Sequence, residues 1–159
     1  MNARPILLQP TVEVERLVPI LLDALPFDDR LRAELASSHV TAYAATLDGE
    51  LIGSVAVRWE ETSEIVLLGV AKDWRGLGHG TSIVLEIIEE ARRRKVRTLL
   101  VGTASVSMDN ILFYQKCGFR MDHVRRDYFK EQFPEMEPII WRGITMRDMI
   151  VLSFEFEMP

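Results

Sequence analysis

A nearly continuous apolar run, Glu64 to Ala71, leads into a loop with three alternating glycines, Gly76, Gly78 and Gly80, and then into a long amphipathic segment. Such a run predicts a strand buried on both faces. Ile83, Val84, Ile87, Ile88 and Ala91 follow at helical spacing, which predicts a helix from Gly78 to about Lys95 with one apolar stripe. Any fold for this chain must therefore place a glycine-rich strand-to-helix junction near its centre. Glycines there let the backbone approach a ligand closely. Their amides, with the helix dipole behind them, favour an anionic group such as a pyrophosphate.

The rest of the chain frames that junction. Arg4 to Leu8 reads as a short strand, and Thr11 to about Leu25 as a helical region capped by Thr11 and kinked or restarted at Pro19. A second helix is expected from Asp28 to Ser37, with Asp28 as its cap and Leu31 and Leu35 on its apolar side. Val40 to Leu47 and Leu51 to Trp59 are strand-like runs joined by Asp48-Gly49-Glu50, a strong hairpin signal. With a polar turn at Glu60 to Ser63, three consecutive antiparallel strands result. Beyond the long helix come a strand at Thr98 to Gly102, a helix from about Ser107 to Lys116 ended by Gly118, and a strand at Phe119 to Val124. An irregular or briefly helical stretch, Asp127 to Met136, precedes a long final strand, Met146 to Phe156. The order predicts an α/β fold: a mixed, mostly antiparallel sheet of about six or seven strands with helices on both faces.

At 159 residues the chain is expected to form one domain over 1–159, and 48% apolar with 27% charged residues is an ordinary globular composition. A net charge of −5 disfavours nucleic acid and favours a cationic small molecule or a basic peptide. One cysteine, Cys117, leaves no disulfide framework or cysteine-cluster zinc site, and histidines scattered at 39, 79 and 123 give a metal site little support. The first apolar run, Ile6 to Leu8, is far too short for a signal peptide, and no stretch approaches a membrane span. A cytoplasmic location without membrane contact is expected. The basic run Arg92 to Lys95 reads as a solvated last helical turn.

Spacing narrows the ligand. After Gly80 comes Thr81-Ser82 where a Walker A loop needs Lys followed by Ser or Thr, and a dinucleotide fingerprint would need glycine where Thr81 stands. What the loop does match is Arg-x-x-Gly-x-Gly, here Arg75, Gly78 and Gly80. This resembles the acyl-CoA loop of the GNAT superfamily of N-acetyltransferases, which follows the fourth main strand and opens the next helix. Asn110-Ile-Leu-Phe-Tyr-Gln-Lys-Cys-Gly-Phe119 resembles the superfamily's second signature, one strand further on. The two motifs with the intervening helix and strand cover about 55 residues. The tail, with Asp127-Tyr128-Phe129, Phe133-Pro134-Glu135 and Arg147-Asp148-Met149, is similar to bacterial GNAT proteins with poorly defined substrates.

The resemblance implies a GNAT-like acyl-CoA acyltransferase fold and an enzyme that moves the acetyl group of acetyl-CoA to a primary amine by direct attack, with no metal. It implies that the main chain of Leu68, Gly69, Val70 and Ala71 holds pantetheine, with the Val70 amide as oxyanion donor. Arg75, Gly76, Leu77, Gly78, His79, Gly80 and Thr81 would surround the pyrophosphate, and Asn110 would hydrogen-bond the pantetheine arm. Tyr114 is the implied general acid and Glu64 the implied base. Cys117 reads as a small core residue, and Trp59, Trp74 and Trp141 have no assignable role beyond packing. Two alternatives stay open: a longer acyl group on the donor, and an acyl-CoA sensing module without turnover. The acceptor is a small-molecule or peptide amine, and the final strand is a candidate for pairing across a homodimer.

Overall fold

The structure is a computed structural model that describes residues 5–158. It is a mixed α/β protein whose main sheet has seven mostly antiparallel strands. By compactness the chain divides into two units. One runs up to Leu99 and includes the chain from Phe156, and the other is Leu100–Glu155.

In the first unit, β1 (Leu7–Pro10) pairs antiparallel with β2 (Val40–Leu47), Leu8 opposite Ala45 and Pro10 opposite Tyr43. The strand expected at Arg4 to Leu8 thus lies further along, and Arg4 is outside the described residues. Proline closes β1 without loss because β1 is an edge strand. The helical region also differs from expectation. It is a 3-10 turn, Val14–Arg16, followed by a single α-turn, α1 (Val18–Leu21), with Pro19 in the first turn where its missing N–H leaves no bond unmade. Thr11 accepts from the Glu13 amide at 3.1 Å and so turns the chain rather than capping a helix. In α2 (Asp28–Ala36) the capping position belongs to Phe27, and Asp28 lies inside, accepting from Arg32 Nε at 2.9 Å.

β2 and β3 (Glu50–Arg58) form the hairpin anticipated from Asp48-Gly49. Both turn residues have positive φ, 51° and 85°, the primed geometry that matches strand twist. β4 (Thr62–Val70) pairs antiparallel with β3, and the Ser63 hydroxyl closes the intervening turn on Glu60. On one face, Leu17, Val18, Leu21, Leu31 and Leu35 pack with Ala42, Ala56 and Leu67. On the other lies α3 (His79–Arg93), whose Ile83, Val84, Ile87, Ile88 and Ala91 are all buried. Full burial of an aliphatic side chain of this size contributes about 1.5–3 kcal/mol, so this stripe anchors the helix. Its basic end is a solvated turn: Arg92 pairs with Glu89, and Arg93 and Arg94 with Glu90. Arg94 also lies over the Trp59 ring, 4.5 Å from its centre.

β5 (Thr98–Ala104) runs across the boundary between the units. In the second unit α4 (Met108–Lys116) ends at Gly118, whose φ of 103° is the left-handed stop expected there. β6 (Arg120–Arg125) pairs antiparallel with the final strand. A five-residue helix, α5 (Tyr128–Gln132), lies in the irregular segment, followed by a hairpin of β7 (Ile140–Trp141) and β8 (Ile144–Thr145) that was not anticipated. The final strand, β9 (Met149–Glu155), starts later than expected; just before it, the carbonyl of Asp148 accepts from the Ser105 amide and its carboxylate from the Asp127 amide. Among the described residues no helix is long and apolar enough to cross a membrane.

Candidate active site

The end of β4, the glycine loop and the start of α3 form one continuous stretch. The Ala71 amide donates to the Ile52 carbonyl at 2.8 Å. Antiparallel ladders alternate, so the main-chain groups of Gly69 and Ala71 are directed toward β3 and those of Leu68 and Val70 away from it. Arg75 Nε donates to the Val70 carbonyl at 2.9 Å, as that alternation requires. Gly69 has a second role. A Cβ there would lie 2.6 Å from the Ile20 carbonyl oxygen, so α1 can rest on β4 only at a glycine.

The loop opens with a short 3-10 turn, Lys72–Trp74, and passes through Gly76 and Gly78, at φ 73° and 86°. At such angles a side chain is strained, and open space surrounds both positions. Gly78 caps α3 in the left-handed conformation. The Ser82 amide makes the helix's first bond, to the Gly78 carbonyl at 3.1 Å. The amides of His79, Gly80 and Thr81 therefore belong to the turn whose donors a helix cannot satisfy itself. Pre-formed donors at the positive end of a 15-residue helix suit a phosphate group. Leu77 is 65% exposed beside them, so its contribution to the loop is its backbone.

Side chains brace this loop in ways that sequence reading missed. Arg75 is held by Asp23 as well as by Val70, so its guanidinium lies back over the end of β4. The Trp74 indole donates to Glu50 at 3.3 Å and meets the His79 ring edge-to-face at 5.5 Å. Trp74 has a role after all, as a strut between the loop and the start of β3. Glu64, further back on β4, accepts from Arg58 Nη1 at 2.8 Å, and Arg58 Nη2 donates to Glu34 at 2.6 Å. Opposite charges spaced along hairpin strands were the available signal for Arg58. Glu34 had none, because its position depends on how α2 docks.

The second unit carries Asn110 and Tyr114 on α4. The Asn110 side-chain amide donates to the Thr103 hydroxyl at 3.4 Å, a long bond. Tyr114 is buried and meets Phe113 and Phe119 edge-to-face, at 4.9 and 5.8 Å between ring centres. Burial pushes its hydroxyl well above the ordinary tyrosine range, and Cys117 nearby adds to the effect. The phenol is therefore protonated throughout the neutral range. Cys117 is itself a buried core residue, as expected. Among the described residues no three His, Cys, Asp or Glu side chains are grouped as metal ligands would be.

A strand that delivers its backbone into a glycine loop and an open helix N-terminus suits a ligand that carries phosphate groups. The family model for the Acetyltransferase (GNAT) family matches residues 13–119, and the chain belongs to that family. It is 32% identical over 143 residues to an uncharacterized N-acetyltransferase of Bacillus subtilis, YvbK, covering 89% of this chain and 90% of that protein. Among solved structures it is similar to a GNAT family acetyltransferase from Elizabethkingia anophelis with acetyl-CoA bound. The TM-score is 0.87 at 30% identity, over 97% of this chain and 100% of that one. A Bacillus subtilis acetyltransferase in complex with CoA gives a TM-score of 0.84, also at 30% identity, over 96% and 99% of the two chains.

Proposed function

We propose that this acetyltransferase is a single domain over residues 1–159 that transfers the acetyl group of acetyl-CoA to a primary amine of a small molecule or peptide, by direct attack in a ternary complex. The observation that carries this is the loop from Arg75 to Thr81: two glycines in the left-handed region, of which Gly78 also caps the helix, and three helix amides with no partner inside the helix. Two similar proteins hold acetyl-CoA and CoA. The lone, buried Cys117 fits the reducing cytoplasm we assign it to.

When bound, acetyl-CoA would supply an activated thioester that an amine can attack, with the CoA thiolate as leaving group. The main chain of Leu68, Gly69, Val70 and Ala71 holds the pantetheine arm, with Leu68 and Val70 offering the groups that turn away from β3. The Val70 amide stabilises the oxyanion, a kind of donor whose loss costs about 10²–10³ in kcat. Arg75 keeps that amide in place by holding the Val70 carbonyl, and adds positive charge to the loop of Gly76, Leu77, Gly78, His79, Gly80 and Thr81 around the pyrophosphate. Asn110 hydrogen-bonds the pantetheine arm. Glu64 takes the proton released by the attacking amine, through water. Tyr114 donates its hydroxyl proton toward the departing sulfur. A buried tyrosinate is disfavoured, so that proton is lent only briefly and is recovered as product leaves.

Calorimetric titration with acetyl-CoA tests the cofactor, and thiol release over a panel of amines tests transfer. Binding with amine-dependent thiol release is expected. Binding without release over polyamines, aminoglycosides and peptide N-termini would point to a sensing module instead.

A further inference from the structure

The β3–β4 ladder runs in register from Gly53 opposite Val70 to Ala56 opposite Leu67, then jumps to Val57 opposite Ile65 and Arg58 opposite Glu64. Val66 is the extra residue, a β-bulge. In an unbroken strand Glu64 would point to the face opposite Leu67, because side chains alternate. The bulge reverses that phase. Leu67 and Val66 both pack into the cluster built by α1 and α2, and Glu64 comes onto that same face beside Arg58. Arg58 shares the face with Ala56, two residues before it, and from there reaches Glu34 on α2.

One guanidinium thus joins two carboxylates from different elements, at 2.8 Å to Glu64 and 2.6 Å to Glu34. The three side chains are 31–34% exposed, so the chain of charges is screened less than a solvated pair. An arginine fork is planar and rigid and can hold both partners at once, which a lysine ammonium does poorly. Glu64 has three side-chain torsions. The Arg58 bond restrains those torsions, and misplacing a catalytic group by about 1 Å can cost 10²-fold in rate.

We infer that Arg58 is a positioning residue, clamped by Glu34, that fixes the Glu64 carboxylate for its work as base. This rests on Glu64 being the base. Glu34 is thereby linked to catalysis, although it lies on a different element from the cofactor loop.

Two measurements on the full chain test it. The first is NMR of the Arg58 guanidinium, which needs no acceptor. Slow rotation about its Cζ–Nη bonds is expected in the parent and faster rotation in Glu34→Gln; equally fast rotation in both would overturn the clamp. The second is a kinetic cycle using thiol release from acetyl-CoA with the fastest of spermidine, kanamycin and a peptide with a free N-terminus. Arg58→Gln should lower kcat about tenfold with KM for acetyl-CoA nearly unchanged, and Arg58→Lys should recover part of the loss. In a Glu64→Gln background Arg58→Gln should change kcat less than about twofold. A tenfold loss in that background too would overturn the inference, because Arg58 would then act on the fold and not through Glu64. Parental turnover by Glu64→Gln alone is a different failure, that of Glu64 as base. Should Arg58→Gln not fold, Glu34→Gln carries the cycle with the same outcomes expected.

Discussion

The carbonyl oxygen of Ile20 lies 2.6 Å from where a Cβ on Gly69 would stand. A one-turn helix is thereby pressed directly onto the strand whose main chain we propose holds pantetheine. Gly69→Ala puts a methyl group against main chain, which cannot rotate away, so α1 must shift. Overpacking of this kind costs about 1–3 kcal/mol. Urea denaturation should show a loss in that range, and an unchanged midpoint would mean that α1 does not rest on Gly69.

Tyr114→Phe removes a hydroxyl and keeps a ring that packs between Phe113 and Phe119. Turnover should fall about 10²-fold with affinity for acetyl-CoA nearly kept. Unchanged kcat would remove Tyr114 from the proton path.

The same hydroxyl makes a prediction for stability. Burial raises its folded-state pKa above that of the unfolded chain, so above the ordinary tyrosine range the unfolded state loses the proton first. The folded state then binds more protons than the unfolded, and stability falls as pH rises past about 10. Below that range the contribution is fully present. Denaturation from pH 8 to 11 should show a steeper alkaline loss for the parent than for Tyr114→Phe. Tyr43, also raised by burial, gives both proteins a shared residual slope.

Arg75→Glu reverses charge at the loop and loses the hold on Val70. Affinity for CoA should weaken at least tenfold at low salt, with the gap narrowing as ionic strength rises, because exposed charges are screened. Equal affinity at low salt would leave the pyrophosphate to the backbone amides alone.

Local patterns and tertiary docking were unequally legible in the sequence. The α3 stripe from Ile83 to Ala91, the Asp48-Gly49 turn and the Gly118 stop were all readable, because each is set by neighbours within a few residues. The glycine loop was readable for the same reason, since a left-handed backbone at Gly76 and Gly78 is a local demand. Thr11 and Asp28 were misplaced as caps because their side chains found partners other than the helix ends, Glu13 and Arg32. The Val66 bulge has no signature of its own in an apolar run, and it alone decides which face Glu64 takes. The links from Asp23 to Arg75 and from Glu34 to Arg58 span 52 and 24 positions and depend on how helices dock, which periodicity does not encode.

The central claim is acetyl transfer from a cofactor seated on the Arg75–Thr81 loop, and calorimetric titration of the full chain with acetyl-CoA tests it most directly. Saturable one-to-one binding is predicted, weakened by Arg75→Glu and left nearly intact by Tyr114→Phe. No detectable heat at millimolar acetyl-CoA would contradict it.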